Sequence, residues 1–388
     1  MFLLCIWVLS VYIRNEWHEG PYRLSPISHR MPELDYEILW SAGRMALLEP
    51  ATRLYDGLHF LAWRDHLFPG SGQFRLDWIY PPPMILVGMA VARIPLLPGF
   101  FLWNALVCGT AVWVLRRAGL SWRVALLGVF GPTAWRGITS GQVAPLEASL
   151  VFAGLLQTGR APARAGLFLG LATFKPQLGV LAPVVWVAQR RWTAFATAAA
   201  VTVAFAGIAT AAFGPDIWSA FLSGSRASMQ LLLSPSAPPR NYWLGSASVY
   251  WMARSFGATI TVSYGLQVVS AIVAAAVAWT AARRGNDVAA AAVAVCMIPL
   301  VSPYLYASDL IGYSIVAAML WARRPSAALP AFLWMCPGLS AIFTVVTGLE
   351  VLPVCAVLAA VLSWRAFGPG AAPARPRPAS PRYSAASD

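Results

Sequence analysis

Few residues in this chain can do chemistry, and most of its length is apolar, so the polar exceptions stand out. Lys175 is the only lysine, against 27 arginines, and it sits in Phe174-Lys175-Pro176-Gln177 with apolar flanks. A compact cation at a broken helix end could hold a phosphate, or it could snorkel to an interface. Asp309 follows Ser302-Pro303-Tyr304-Leu305-Tyr306-Ala307-Ser308 and opens an apolar run. There it needs a partner: it could bind a ligand or pair with an arginine. Glu147 lies five residues after Gln142 on an apolar helix, and Arg136 is comparable. For both, a structural hydrogen bond to a neighbouring helix is the expectation. Asp35, in Leu34-Asp35-Tyr36-Glu37, begins a stretch of helical periodicity through Leu48. A carboxylate at the start of an interfacial helix could act as a general base; taken alone, such an aspartate is solvated decoration more often than a catalyst, and the same holds for Asp56, Asp65 and Asp77.

Composition decides what must position these groups. The 388 residues are 59% hydrophobic and 11% charged. A soluble domain carries about 25% charged residues. So few charges cannot coat a water-facing globule, and the chain reads as an all-α polytopic membrane protein. A soluble enzyme, a secreted domain and a disordered chain are excluded. The five cysteines, Cys5, Cys108, Cys296, Cys336 and Cys355, lie in apolar stretches and read as core residues. Met1–Ile13 is apolar but has no basic n-region and no small-residue cleavage site, so a signal peptide is not expected. It is shorter than the ~20 residues of a spanning helix, so the helix continues towards Trp17 or the chain starts upstream.

Charge is sorted along the chain. Nine of the fifteen acids and all four histidines fall within residues 14–79, a segment of net charge −2, whereas the rest carries +15. The basic residues recur between apolar spans: Arg116-Arg117 with Arg123, Arg160 with Arg164, Arg190-Arg191, Arg283-Arg284, Arg323-Arg324 and Arg365. Such an excess marks cytoplasmic loops. They form no continuous stripe, so no nucleic-acid role is expected despite a net charge of +13. With these corners inside, residues 14–79 and 214–257 become external loops. Hairpins turn outside at Ser140-Gly141-Gln142, near Ser302-Pro303 and near Gly348. Arg164 to Arg190 has room for one span with both ends inside, so two half-helices meeting at Lys175 are expected; irregular backbone at membrane depth must be buried in protein or line a cavity. In 80–115, rich in proline, one piece only dips into the membrane. Residues 1–366 form a single domain, and 367–388 form a disordered basic cytoplasmic tail. There is no internal repeat.

The ordered set of Asp35-Tyr36, Ala42-Gly43-Arg44, Leu54-Tyr55-Asp56, Ile79-Tyr80-Pro81-Pro82, Ser140-Gly141-Gln142-Val143, Lys175-Pro176-Gln177 and Ser302-Pro303-Tyr304 resembles glycosyltransferase family 87. These are the polyprenol-phosphate-mannose-dependent mannosyltransferase-like proteins of the type C glycosyltransferase superfamily. The resemblance implies a bundle of roughly 10–12 transmembrane helices with interfacial helices in a periplasmic first loop. It implies a bacterial inner-membrane, multi-pass protein whose active site faces the periplasm. A polyprenyl-phosphate-linked sugar would be the donor and a glycolipid or glycan the acceptor. It assigns the general base to Asp35 and places Gln142 and Lys175 in the cavity. Donor-binding candidates are then Lys175, Gln142, Tyr80, Arg240, Asp309 and Tyr304, with Tyr242 and Trp243 able to stack on sugars or to serve an interfacial aromatic belt. No cofactor is implied with force; a divalent metal is possible, although only Asp35 and Glu37 lie close in sequence. Some relatives carry a late histidine that this chain lacks, since none follows His66. Alternatives are a secondary transporter or flippase, another type C transferase acting on lipid A, protein or a different glycan, and an inactive transferase-like subunit. A transporter should show two related halves, which the sequence does not.

Overall fold

The computed structural model describes residues 34–69, 76–233, 245–324 and 326–371, together with Ser10, Val11 and Arg14. The expected first helix, Arg240, Tyr242, Trp243, Cys5 and most of the tail lie outside these residues. The described residues are helical, with one isolated β-bridge, Ser246 to Tyr306.

The helices, in order, are α1 (Leu34–Leu48), α2 (Gly57–Leu67), α3 (Pro83–Val91), α4 (Leu96–Arg117), α5 (Trp122–Val129), α6 (Pro132–Ser140) and α7 (Ala144–Gln157). Then come α8 (Pro162–Leu171), α9 (Pro176–Gly179), α10 (Ala182–Gln189), α11 (Trp192–Phe213), α12 (Asp216–Leu233) and α13 (Val249–Ser255). The chain closes with α14 (Ile260–Arg284), α15 (Asp287–Cys296), α16 (Ile311–Arg323), α17 (Ala328–Thr347) and α18 (Leu352–Phe367). Four of them, α4, α11, α14 and α17, are long and apolar enough to cross a membrane alone. Four shorter apolar helices, α7, α15, α16 and α18, stand with them. Much of the apolar sequence is thus delivered in pieces, because prolines interrupt it. Pro132 ends the α5 run, and Pro176 separates α8 from α9. Proline removes a backbone donor and drives the preceding residue out of helical geometry.

α7 is the hub. Nearly all of its side chains are buried, and it packs on α4, α8, α9, α10, α15 and α16. A helix apolar all round belongs in an interior. Its two ends mark the two ends of the bundle, about 21 Å apart at 1.5 Å per residue. At the Gln157 end the basic corners meet. Gly159 N–H donates to Asp287 (2.8 Å), Gln189 donates to the same carboxylate (3.2 Å), and Asn286 donates to the Phe367 carbonyl (2.9 Å). Arg123 stacks over Trp321 and Arg323 over Phe367. The arginine corners that recur along the sequence therefore share one end.

The two ambiguous stretches resolve simply. α8 rises from the basic end, the chain breaks at Thr173–Lys175, and α9 and α10 return to it. In 80–115, α3 is a nine-residue piece that packs on α1, and α4 is the full-length helix. Residues 214–257, expected as an external loop from their polar, proline-rich composition, hold regular helices among their described residues. They contain α12, which packs on the 3-10 turn Ala51–Tyr55, and α13. Cys108 and Cys296 are buried, while the thiols of Cys336 and Cys355 touch (3.2 Å) between α17 and α18.

Candidate active site

Asp35 sits in the first turn of α1, where a carboxylate suits the positive end of the helix dipole. α1 is held from three sides. Glu37 and Arg64 form a fully buried pair (Oε2–Nη2 2.5 Å, Oε1–Nε 3.1 Å) that ties α1 to α2, and Ser41 donates to Glu37 (2.7 Å). Gly43 crosses Gly88 of α3 so closely that a Cβ there would meet the Gly88 carbonyl at 2.0 Å. Tyr36 packs edge-on against Phe100 of α4.

The α6–α7 turn meets this helix start. Gly141 caps α6 in the left-handed conformation (φ 83°), and Gln142 N–H returns to the Gly137 carbonyl (2.7 Å). Glycine is required twice over: for the dihedral, and because a Cβ would strike the Tyr36 Cβ at 2.5 Å. The turn leaves Ser140 and Gln142 on either side of Gly141, with both side chains beside the Asp35 carboxylate, while the Ser140 hydroxyl donates to the Arg136 carbonyl (2.9 Å). Gln142 Oε1 is left without a partner. Lys175 and Arg136 lie within electrostatic reach of the same carboxylate. Burial pushes the Asp35 carboxyl above its ordinary value, and these polar groups and cations oppose that shift only in part.

Lys175 occupies the break between α8 and α9. Its Nζ donates to Asp309 Oδ1 at 2.8 Å. Asp309 ends a 3-10 turn, Ala307–Asp309, and its second oxygen accepts from Tyr306 N–H (3.1 Å). That turn is fixed by a short pairing of the 245–248 and 303–307 segments: Ala247 N–H to Leu305 O (2.9 Å), Ala307 N–H to Gly245 O (2.6 Å) and Ser248 Oγ to Pro303 O (3.0 Å). The partner that Asp309 needs is thus the single lysine and not an arginine. Glu147 is 1% exposed on α7 and faces both Lys175 and Asp309. The Tyr80 ring lies among Lys175, Asp35, Glu147 and Asp309, and Tyr304 lies near Tyr306, Asp309, Tyr80 and Asp35. Tyr55 OH donates to the Tyr80 carbonyl (2.9 Å) and fixes that strip of chain.

The structure therefore brings Asp35, Tyr80, Gln142, Lys175, Tyr304 and Asp309 into one neighbourhood, at the end of the bundle away from the basic corners. Arg240 falls outside the described residues. Asp56 instead caps α2 through Leu58 N–H and His59 N–H, and Asp77 accepts from Ser228 (2.6 Å). Two groups that the sequence marked as structural belong to the neighbourhood: Glu147, and Arg136, whose Nη1 lies 3.0 Å from where a Cβ on Gly245 would sit. The signal was present, since both flank the Gly141-Gln142 turn. Among the described residues no three His, Cys, Asp or Glu side chains converge as a metal set, and no step below uses one.

Chemically, this is a partly accessible carboxylate with two polar side chains beside it, two cations within reach, and a second pair of acids around the lysine. It can accept a proton and stabilise an anion at neighbouring positions. Comparison with curated proteins and with solved structures gives no match. The family model of Glycosyltransferase family 87 matches residues 78–303, more than half of the chain. The match includes Tyr80, Arg136, Gln142, Glu147 and Lys175, while Asp35, Tyr304 and Asp309 join them through the fold alone. By that match, with membrane-length apolar helices around it, the chain belongs to glycosyltransferase family 87, a family of membrane glycosyltransferases.

Proposed function

We propose that the protein transfers a hexose, mannose first among them, from a polyprenyl-phosphate donor to a lipid or glycan acceptor. The reaction runs at the external face of a bacterial inner membrane. The observation that carries this reading is the gathering of Ser140, Gln142, Arg136 and Lys175 around the partly accessible Asp35 carboxylate. It lies opposite the arginine-rich end, which positive-inside topology assigns to the cytoplasm.

Asp35 takes the proton of the acceptor hydroxyl as its oxygen attacks the anomeric carbon. The new C–O bond forms as the bond from that carbon to the phosphate oxygen breaks, and the electron pair leaves with the polyprenyl phosphate. Direct displacement inverts the anomeric centre, and one base suffices, unlike the carboxylate pairs of glycosidases. Such a base contributes roughly 10²–10⁴-fold. The departing phosphate gains a charge, and Lys175 and Arg136 supply the positive field for it. Lys175 serves while bound to Asp309, so it acts as a fixed, pre-oriented dipole as much as a free cation. Tyr80 and Tyr304 offer hydroxyls and ring faces to the sugar.

The test is sugar transfer by purified protein in liposomes, with a panel of polyprenyl-phosphate sugars, for wild type beside Asp35→Asn. Transfer by wild type and its loss in a folded variant supports the reading and names the donor. Transfer that survives the substitution removes Asp35 from the role of base. No transfer from any donor over a broad acceptor set sinks the reading.

A further inference from the structure

We propose that the basic end of the bundle holds an anionic glycerophospholipid, its phosphate seated between Arg191 and Arg283. This site lies at the opposite end from Asp35 and does not depend on the transferase reading. The α10–α11 corner and the α14–α15 corner flank an open recess of about 450 Å³, lined by Gln189, Arg191, Arg283, Asn286 and Asp287.

The polar groups of the recess are unevenly satisfied. Arg283 bridges the two corners through a hydrogen bond to the Ala188 carbonyl (3.2 Å). Asp287, the carboxylate of the recess, is already engaged: Oδ2 accepts Gly159 N–H (2.8 Å) and Oδ1 accepts the Gln189 amide (3.2 Å). Two atoms are the exceptions: the Gln189 Oε1 and the Arg191 Nε are sealed from solvent and have no hydrogen-bond partner. A buried donor left unmade is costly, so such a group calls for an acceptor. Two guanidiniums against one committed carboxylate leave the recess positive, and the exposed Arg190 and Arg284 add to its field. A phosphodiester supplies what is missing: one negative charge and oxygens matched to the guanidinium fork. Positive-inside topology alone asks only for basic residues in loops, and requires no recess between two of the corners.

The surroundings favour a lipid over a soluble anion. α11 and α14 both pack on α10, and each keeps most of its apolar length uncovered. Trp192 directly follows Arg191 and is 59% exposed; Trp279 lies one turn before Arg283 and is 43% exposed. Exposed tryptophans mark the headgroup level of a bilayer. Acyl chains lying along α11 and α14 would bring a headgroup to the recess, the placement known for basic pockets between membrane helices.

The test is native mass spectrometry of delipidated full-length protein, titrated with phosphatidylglycerol, phosphatidylcholine or inorganic phosphate. Each arginine near an anionic headgroup is worth about 5-fold. Wild type should prefer phosphatidylglycerol over phosphatidylcholine by roughly 30-fold, and Arg191→Ala/Arg283→Ala should lose that preference. Arg117→Ala, a surface arginine outside the recess, should keep it. If the double variant fails to fold, Arg191→Gln should still weaken phosphatidylglycerol binding by about 5-fold. Equal retention of both lipids by wild type, or an undiminished preference in these recess variants, overturns the proposal. Displacement of phosphatidylglycerol by millimolar phosphate overturns it too, by making the recess a soluble-anion site.

Discussion

Replacing Lys175 and replacing Asp309 should have unequal costs, although the two form one ion pair. Their side chains are 11% and 2% exposed, with Nζ and Oδ1 2.8 Å apart. At an effective dielectric of about 20, two unit charges at that distance attract by about 6 kcal/mol. Much of this is offset by desolvation, and breaking a buried pair typically costs about 3–5 kcal/mol. Lys175→Met should fall in that range, because it leaves Asp309 and Glu147 facing each other without a cation. Asp309→Asn should cost about 1–2 kcal/mol: Glu147 still neutralises the lysine, and the amide oxygen can still accept from Nζ. The double variant should cost less than the sum of the two, by at least about 1 kcal/mol. Unfolding in mixed detergent micelles, followed by circular dichroism, measures all three. Equal costs for the single variants would show that Glu147 does not share the lysine, and strict additivity would show that the pair is not coupled.

Three further outcomes are expected. Because burial raises the Asp35 pKa above its unfolded value, its ionisation costs stability. The protein should lose that increment as pH rises from the ordinary carboxylate range through the raised value, and above it Asp35→Asn should be at least as stable as wild type. The same shift should place the acid limb of kcat/KM above the ordinary carboxylate range; a limb within that range, or a destabilised Asp35→Asn at pH 8, would contradict the burial argument. Arg64→Met strands the buried Glu37 and should cost about 3–5 kcal/mol, whereas Arg64→Met with Glu37→Leu should recover part of it, both read from unfolding midpoints. Gly43→Ala should cost about 1–3 kcal/mol from overpacking, and more than Gly88→Ala, whose Cβ would meet its nearest atom at 3.0 Å and not 2.0 Å.

Membrane surroundings leave few reasons to keep polar groups, so Lys175 and Asp309 stand out of an apolar background one by one, and the arginine corners give the two-ended layout. Asp35, Tyr80, Gln142 and Tyr304 became site candidates only through the family resemblance. Pairing could not be read. Lys175 and Asp309 lie 134 residues apart, and nothing local indicates that the lysine at a broken helix meets the acid of a late 3-10 turn. Arg136 and Glu147 read as structural on their own helices, because nothing local indicates that the Gly141 turn meets the start of α1. Helix lengths were also illegible. Apolar content counts residues, but Pro132 and Pro176 decide how many pieces they form.

The half-helix arrangement around Lys175 also bears on how the chain enters the membrane. At roughly 5–20 residues per second, the 134 residues separating Lys175 from Asp309 take on the order of ten to thirty seconds to synthesise. Through that interval the only lysine of the chain is without its final counter-ion. Glu147 is made before it, on the hub helix against which the segment packs, and can hold the charge until Asp309 arrives. Nascent chains stalled between residues 200 and 300 should therefore keep Lys175 shielded from water-soluble amine reagents, and Glu147→Leu should expose it. Glu147 would then be an assembly factor encoded in the chain itself, needed most before the protein is finished.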